Sequence, residues 1–158
     1  MNLLIMRHGE ACTQIHEDAQ RPLTELGKLE AKVMAKWLKS TNIELDAIFV
    51  SPYLRAQQTA QTLYDQLKLS IPLQTLDLLT PAGKAGEVHD YLDGMISLER
   101  YENVLLVSHM PLVSYLLAEL SIEKSAPIFA TAAIAQIDYN KQLMAGHLIN
   151  HVCPDDFV

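Results

Sequence analysis

Three short apolar runs, each followed at once by a polar motif, constrain this chain more than any other feature. Leu3-Leu4-Ile5-Met6 leads into Arg7-His8-Gly9-Glu10, Ala47-Ile48-Phe49-Val50 into Ser51-Pro52-Tyr53-Leu54-Arg55, and Val104-Leu105-Leu106-Val107 into Ser108-His109-Met110-Pro111. A run that is apolar on both faces suits a strand inside a parallel sheet covered by helices on both sides. Helical periodicity fills the intervals. Leu26, Leu29, Val33, Trp37 and Leu38 recur from about Thr24 to Ser40, opposite Lys and Glu, as an amphipathic helix does. Ser51 and Pro52 read as the N-cap and first residue of a second helix lined by Ala56, Thr59, Ala60, Leu63 and Leu67. A third helix is expected over about Ala85 to Ser97, and Pro111 opens a fourth carrying Leu112, Val113, Leu116, Leu117 and Leu120. Trp37, Tyr91, Met34 and Met95 are expected in the core. Phe129 to Tyr139 and Leu143 to Val152 read as two strands joined at Asn140-Lys141-Gln142. With a short extra strand between the second and third helices, the order predicts an α/β fold. It is a three-layer α/β/α sandwich with a mainly parallel sheet, one domain over residues 1–158.

Composition narrows the function classes. Hydrophobic residues make up 49% of the 158, enough for one substantial core. A net charge of -7 and a pI near 5.2 argue against nucleic acid as partner, because phosphate backbones are bound by clustered Lys and Arg. No apolar run approaches the roughly 18 residues of a membrane span, so no membrane association is expected. The N-terminus lacks the apolar region and cleavage site of a signal peptide, and a cytoplasmic location is expected. Cys12 and Cys153 are too few for a disulfide framework, which favours a reducing compartment and leaves a single bridge between them open. Neither has a neighbouring charge pattern that marks an activated thiol.

In an open α/β sheet, ligands bind in the crevice beyond the carboxyl ends of the strands. If the three apolar strands are parallel neighbours, Arg7, His8, Arg55 and His109 converge there. Guanidiniums grip a phosphoryl group bidentately, one imidazole can attack phosphorus, and a second can support the phosphoryl oxygens. The set describes a phosphoryl-transfer site made of side chains. In such a site the attacking nitrogen must be neutral, with its other nitrogen held protonated by a backbone carbonyl. Gly9 serves as a turn residue with permissive φ, and also lets backbone amides approach phosphate.

Arg7-His8-Gly9-Glu10, Arg21-Pro22-Leu23-Thr24 with Gly27, Ser51-Pro52-x-x-Arg55-Ala56 with Thr59, and Ser108-His109 together resemble the histidine phosphatase superfamily, which includes the phosphoglycerate mutases. The likeness covers nearly the whole chain. Within that superfamily Leu79-Thr80-Pro81, His109-Met110-Pro111-Leu112-Val113 and Ala132-Ala133-Ile134-Ala135 are similar to the SixA type of phosphohistidine phosphatase. The resemblance implies a phosphoglycerate mutase-like fold and a catalytic set of His8, Arg7, Arg55 and His109, with His8 as nucleophile. Arg21, Gly9 and Ser51 are implied as substrate-binding residues. No metal or cofactor is implied, since the cationic side chains supply the electrostatic stabilisation.

Relatives that cleave phosphate esters use a glutamic acid to protonate the leaving group, in a loop that corresponds here to Leu76-Asp77-Leu78-Leu79-Thr80-Pro81. Asp77 is the only acid nearby, and Asp18 and Glu10 are further possible proton carriers. An alkoxide departs poorly unprotonated, whereas imidazole is a far better leaving group, so this departure favours a phosphohistidine substrate. About 31 residues separate Asp77 from His109, too few for a large lid insertion. An open pocket suits a phosphohistidine-bearing protein, which the resemblance identifies with a histidine phosphotransfer domain of a sensor kinase or a phosphocarrier, in phosphorelay signalling. The enzyme is expected to act as a monomer. The alternatives are a phosphomonoesterase or phosphoglycerate mutase on the same site, a binding module that recognises phosphohistidine without hydrolysing it, or a metal site drawing His147 and His151 toward His8 and His109. His16 and His89 read as surface residues.

Overall fold

The structure, a computed structural model, describes residues 1–14 and 17–157; His16 lies outside the described residues. In chain order the strands and helices are β1 (Asn2–Arg7), α1 (Glu25–Ser40), β2 (Ala47–Val50), α2 (Leu54–Leu67), β3 (Leu73–Thr75), α3 (Ala85–Glu99), β4 (Asn103–Ser108), α4 (Leu112–Leu120), β5 (Ile134–Asn140) and β6 (Ala145–Val152). They build one mixed six-stranded sheet in the order β3-β2-β4-β1-β5-β6. β3, β2, β4 and β1 are parallel, while β5 and β6 run antiparallel. The three apolar runs are therefore adjacent strands, with Arg7 paired to Ser108 and Val50 to Val107 at their carboxyl ends.

Alternation along each central strand divides the core between the two faces of the sheet. Leu3, Ile5, Phe49, Val104 and Leu106 pack beneath α3 and α4, and Leu4, Met6, Ile48, Val50, Leu105 and Val107 pack beneath α1 and α2. This is the expected three-layer sandwich. α4 buries all five of its predicted apolar positions. Of the four large side chains expected in the core, Met34 is fully buried, whereas Trp37, Tyr91 and Met95 pack against it half-buried.

Four local expectations are corrected. The buried stripe of α1 is Gly27, Ala31, Met34, Ala35 and Leu38, while Leu26 and Leu29 are 52% and 57% exposed. Gly27 sets that rotation: a Cβ there would lie 2.1 Å from the Glu10 carbonyl oxygen, so only a bare Cα lets the helix seat against the loop after β1. The second helix begins at Leu54 with Tyr53 as its N-cap, so Ser51 does not cap it and Pro52 lies ahead of it. Pro111 likewise stands at the N-cap of α4 rather than inside its first turn. Finally, β5 starts at Ile134 rather than Phe129, because residues 129–133 form a loop over the end of β1, with Ala132 left-handed at φ 61°.

Among the described residues no helix is long and apolar enough to cross a membrane. Both cysteines are free. His89, expected at the surface, sits between helices, its Nδ1 3.0 Å from Glu119 Oε1 and its Nε2 3.0 Å from the Tyr139 hydroxyl.

Candidate active site

At the carboxyl end of β1, β4 and β2 lies a pocket of about 300 Å³ lined by Arg7, His8, Arg21, Arg55, His109 and Glu10, with Ala11, Thr13, Met110 and Thr131 completing it. Larger hollows exist, such as one of about 500 Å³ beside the β5–β6 turn, yet none gathers comparable cations and imidazoles. The functional side chains are delivered by the ends of three elements. Arg7 and His8 leave β1, His109 follows β4, and Arg55 sits in the first turn of α2.

His8 is 7% exposed. Its Nδ1 lies 2.6 Å from the Gly9 carbonyl oxygen. A carbonyl only accepts, so Nδ1 carries the proton and Nε2 a lone pair, as a nucleophilic imidazole requires. Arg55 Nε donates to that Nε2 at 3.2 Å. Burial pushes His8 down to about 4; the Gly9 bond opposes the shift, and Arg55, Arg7 and Arg21 reinforce it. Burial pushes His109 to about 3, with His8 and Arg55 adding to the effect. Both imidazoles are thus neutral at pH 7. Their rings stand 5.1 Å apart.

The arginines are anchored from outside the pocket. Arg7 Nη1 donates to the Phe129 carbonyl at 2.7 Å. Arg55 Nη1 and Nη2 donate to the backbone oxygen and Oδ2 of Asp18 at 2.6 and 3.1 Å, and Arg21 Nε reaches Asp18 Oδ1 at 2.9 Å. Burial pulls the Asp18 carboxyl up, but its bonds to Arg21 and Arg55 outweigh that and hold it low. Asp18 is therefore ionised at neutral pH and unsuited to donate a proton. It aims two arginines instead.

Other expected residues fall differently. Asp77 is exposed on a short turn after β3 and does not line the pocket. Glu10 does line it, one carboxylate oxygen accepting from Thr24 Oγ1 at 2.7 Å. Ser51 is fully buried and is not among the residues that line the pocket. Gly9 has no left-handed backbone; a Cβ there would lie 2.6 Å from the Gly27 carbonyl oxygen, so close approach explains it. Its amide donates to Thr59 Oγ1 at 3.0 Å and is not free for phosphate. Among the described residues no three His, Cys, Asp or Glu side chains form a group able to hold a metal ion. His147 pairs with Glu123 on the β6 side instead.

One organising residue escaped the sequence analysis. Glu30, half-buried on α1, accepts from the Glu10 amide at 2.8 Å and from Thr131 Oγ1 at 2.7 Å, tying two pocket walls together. It also offsets the effect of burial on Arg7. In the sequence it is one more charge on an amphipathic helix, and nothing in the spacing distinguishes it.

The geometry has close counterparts. Residues 3–80 match the family model of the histidine phosphatase superfamily, branch 1. The chain is 43% identical over 137 residues to phosphohistidine phosphatase SixA of Escherichia coli strain K12, covering 87% of this chain and 84% of the relative. It is 40% identical over 156 residues to a phosphohistidine phosphatase SixA homolog of Haemophilus influenzae, covering 93% and 94%. A solved structure of the protein histidine phosphatase SixA complexed with tungstate superposes with a TM-score of 0.95 at 39% identity, over 100% of both chains. With a fold and sequence shared at this level over nearly its whole length, the chain belongs to branch 1 of the histidine phosphatase superfamily.

Proposed function

We propose that this chain hydrolyses phosphohistidine on a partner protein through a phosphoryl group carried transiently on His8. That it is a phosphatase follows from its family and from the two curated relatives, both named as phosphohistidine phosphatases. The observation that carries the residue roles is the disposition of His8: its proton is committed to Gly9, and its lone pair faces Arg55 inside the cationic pocket. Tungstate in the related SixA structure is a tetrahedral oxyanion like phosphate, in keeping with a site for a phosphoryl group.

In the first step His8 Nε2 forms a bond to phosphorus as the P–N bond breaks in a substrate ring already protonated on its other nitrogen; the departing nitrogen keeps the bond's electron pair, and the imidazole leaves neutral. Arg7, Arg55 and Arg21 stabilise the phosphoryl oxygens, with His109 as a further donor. Water then attacks phosphorus, orthophosphate leaves, and Nε2 recovers its lone pair. Imidazole makes little demand on an acid, and the pocket offers little: Glu10 is the only carboxylate lining it among the described residues. This favours phosphohistidine over the alkoxide leaving group of a phosphomonoesterase or mutase substrate.

No subdomain stands over the pocket among the described residues, since only a short turn and α3 lie between β3 and β4. A phosphorylated side chain on a folded surface can therefore reach it. The partner proposed is a histidine phosphotransfer domain or a phosphocarrier in a phosphorelay, in the cytoplasm, with residues 1–158 acting as one catalytic domain and as a monomer.

The test is incubation with a phosphorylated phosphotransfer domain, followed by mass spectrometry for acid-labile phosphate. Phosphate is expected on His8 in the wild type, and neither labelling nor turnover in His8→Ala. Labelling that persists in His8→Ala would overturn the nucleophile assignment. Matched turnover of a phosphoglycerate would overturn the substrate class, and activity lost on chelation would overturn the metal-free scheme.

A further inference from the structure

We infer that Ser51 is a positioning residue which donates its hydroxyl proton to His109 Nε2, fixing His109 as the tautomer that presents Nδ1–H to the phosphoryl group. The inference rests on the phosphoryl-transfer reading of the pocket and assigns a tautomer that reading leaves open. Ser51 follows β2 directly, and its amide donates to the Val107 carbonyl at 3.0 Å, continuing the β2–β4 ladder by one residue. That bond places its side chain under His109, with Oγ 2.7 Å from Nε2. Both residues are buried, Ser51 at 0% and His109 at 1% exposure.

Two proton arrangements satisfy a 2.7 Å contact, and the surroundings decide between them. A serine hydroxyl has one proton and two lone pairs. One lone pair of Ser51 Oγ accepts the Tyr53 amide at 3.2 Å. If His109 donated from Nε2, the serine proton would need another acceptor, and Ser51 Oγ has none among the described residues. A buried hydroxyl proton would then go unpaired, and His109 Nδ1 would turn a bare lone pair toward an anionic ligand. If Ser51 donates, its proton is satisfied and Nδ1 carries the hydrogen. His109 Nδ1 is one of only three buried side-chain nitrogen or oxygen atoms without a hydrogen-bond partner among the described residues. On a residue that lines the phosphate pocket, an unpaired donor is what an incoming oxyanion would satisfy. Burial and the neighbouring arginines keep His109 neutral, so it cannot donate from both nitrogens at once. The serine thus holds a neutral donor ready before substrate arrives, with no proton to rearrange during the reaction.

Long-range ¹H–¹⁵N correlation of the histidine side chains in the intact protein at pH 7 tests this directly. Wild-type His109 is expected with Nδ1 in the protonated range and Nε2 in the unprotonated range, and tungstate is expected to perturb Nδ1. In Ser51→Ala the signals should move toward the other tautomer or a mixture, with turnover falling about tenfold. Ser51→Thr, which keeps a hydroxyl, should restore both. A proton on Nε2 of wild-type His109 would overturn the inference, as would an unchanged tautomer in folded Ser51→Ala. The wild-type measurement stands even if a variant fails to fold. It is also independent of His8 labelling, so loss of the phosphoryl-transfer reading and loss of this inference are separate results.

Discussion

Gly9 follows His8 directly, and its carbonyl, 2.6 Å from Nδ1, decides which nitrogen of the nucleophile is free. Because burial and three arginines hold His8 near 4, its charge state does not change across the physiological range. Labelling of His8 by a small phosphoryl donor, corrected for ionisation of the donor, is therefore expected to stay level from pH 8 to pH 5 and to fall only as pH 4 is approached. A fall centred on the ordinary imidazole value would show that the ring is solvated. Arg55 serves three partners at once, His8 Nε2 and both oxygen types of Asp18. A lysine keeps the charge but not the planar fork. Arg55→Lys should lower kcat/KM by roughly 10- to 100-fold, the worth of one charged hydrogen bond, read by steady-state kinetics.

At the level of elements, the loop after β1 and the start of α1 are held together by contacts that need bare backbone. Gly9 and Gly27 face each other, and Gly27 also abuts the Glu10 carbonyl. Gly27→Ala puts a methyl against backbone that cannot swing away, and should destabilise the fold by about 1–3 kcal/mol in urea unfolding. It should also disturb Glu10 and the pocket. Thr24 caps α1 by accepting from the Gly27 amide at 3.0 Å, so Thr24→Ala should cost about 1 kcal/mol by the same measurement. Its effect on activity should be the smaller, since the bond from the Thr24 amide to the carbonyl of pocket-lining Glu10, at 3.0 Å, survives the substitution.

For the molecule as a whole, two neutral imidazoles buried in one site make stability depend on pH. Their folded values, about 4 for His8 and about 3 for His109, lie below the ordinary 6.5. Below pH 6.5 the unfolded chain therefore binds protons that the folded protein refuses. This contribution is complete above that pH and is lost as pH falls toward 4. Between pH 6.5 and 5 each imidazole should withdraw roughly 2 kcal/mol, measured by urea unfolding at a series of pH values. His109→Asn should flatten that slope. The Asp18 carboxyl, also held low, acts in the same direction but below the ordinary carboxylate range, so its loss follows in a more acid window.

Much of this protein was legible along the chain. Apolar runs of strand length, helical spacing between them and a polar motif at each run's end determine which elements form and which residues stand at strand ends, because those signals are local and periodic. Arg7, His8, Arg55 and His109 were identifiable for that reason. What a residue does once there depends on neighbours distant in sequence. Ser51 looked like a helix cap and a substrate ligand until β4 placed His109 over it, and Asp18 looked like an acid until Arg21 and Arg55 closed on it. Glu30 gave no sign of holding Glu10 and Thr131. The face α1 turns inward was misjudged because hydrophobicity pointed to Leu26 and Leu29, while the backbone contact at Gly27 chose the side with small residues. Sequence determined the parts and their order; packing alone decided proton positions, ion-pair partners and helix rotation, because each is set by distances of a few ångströms between segments the chain keeps far apart.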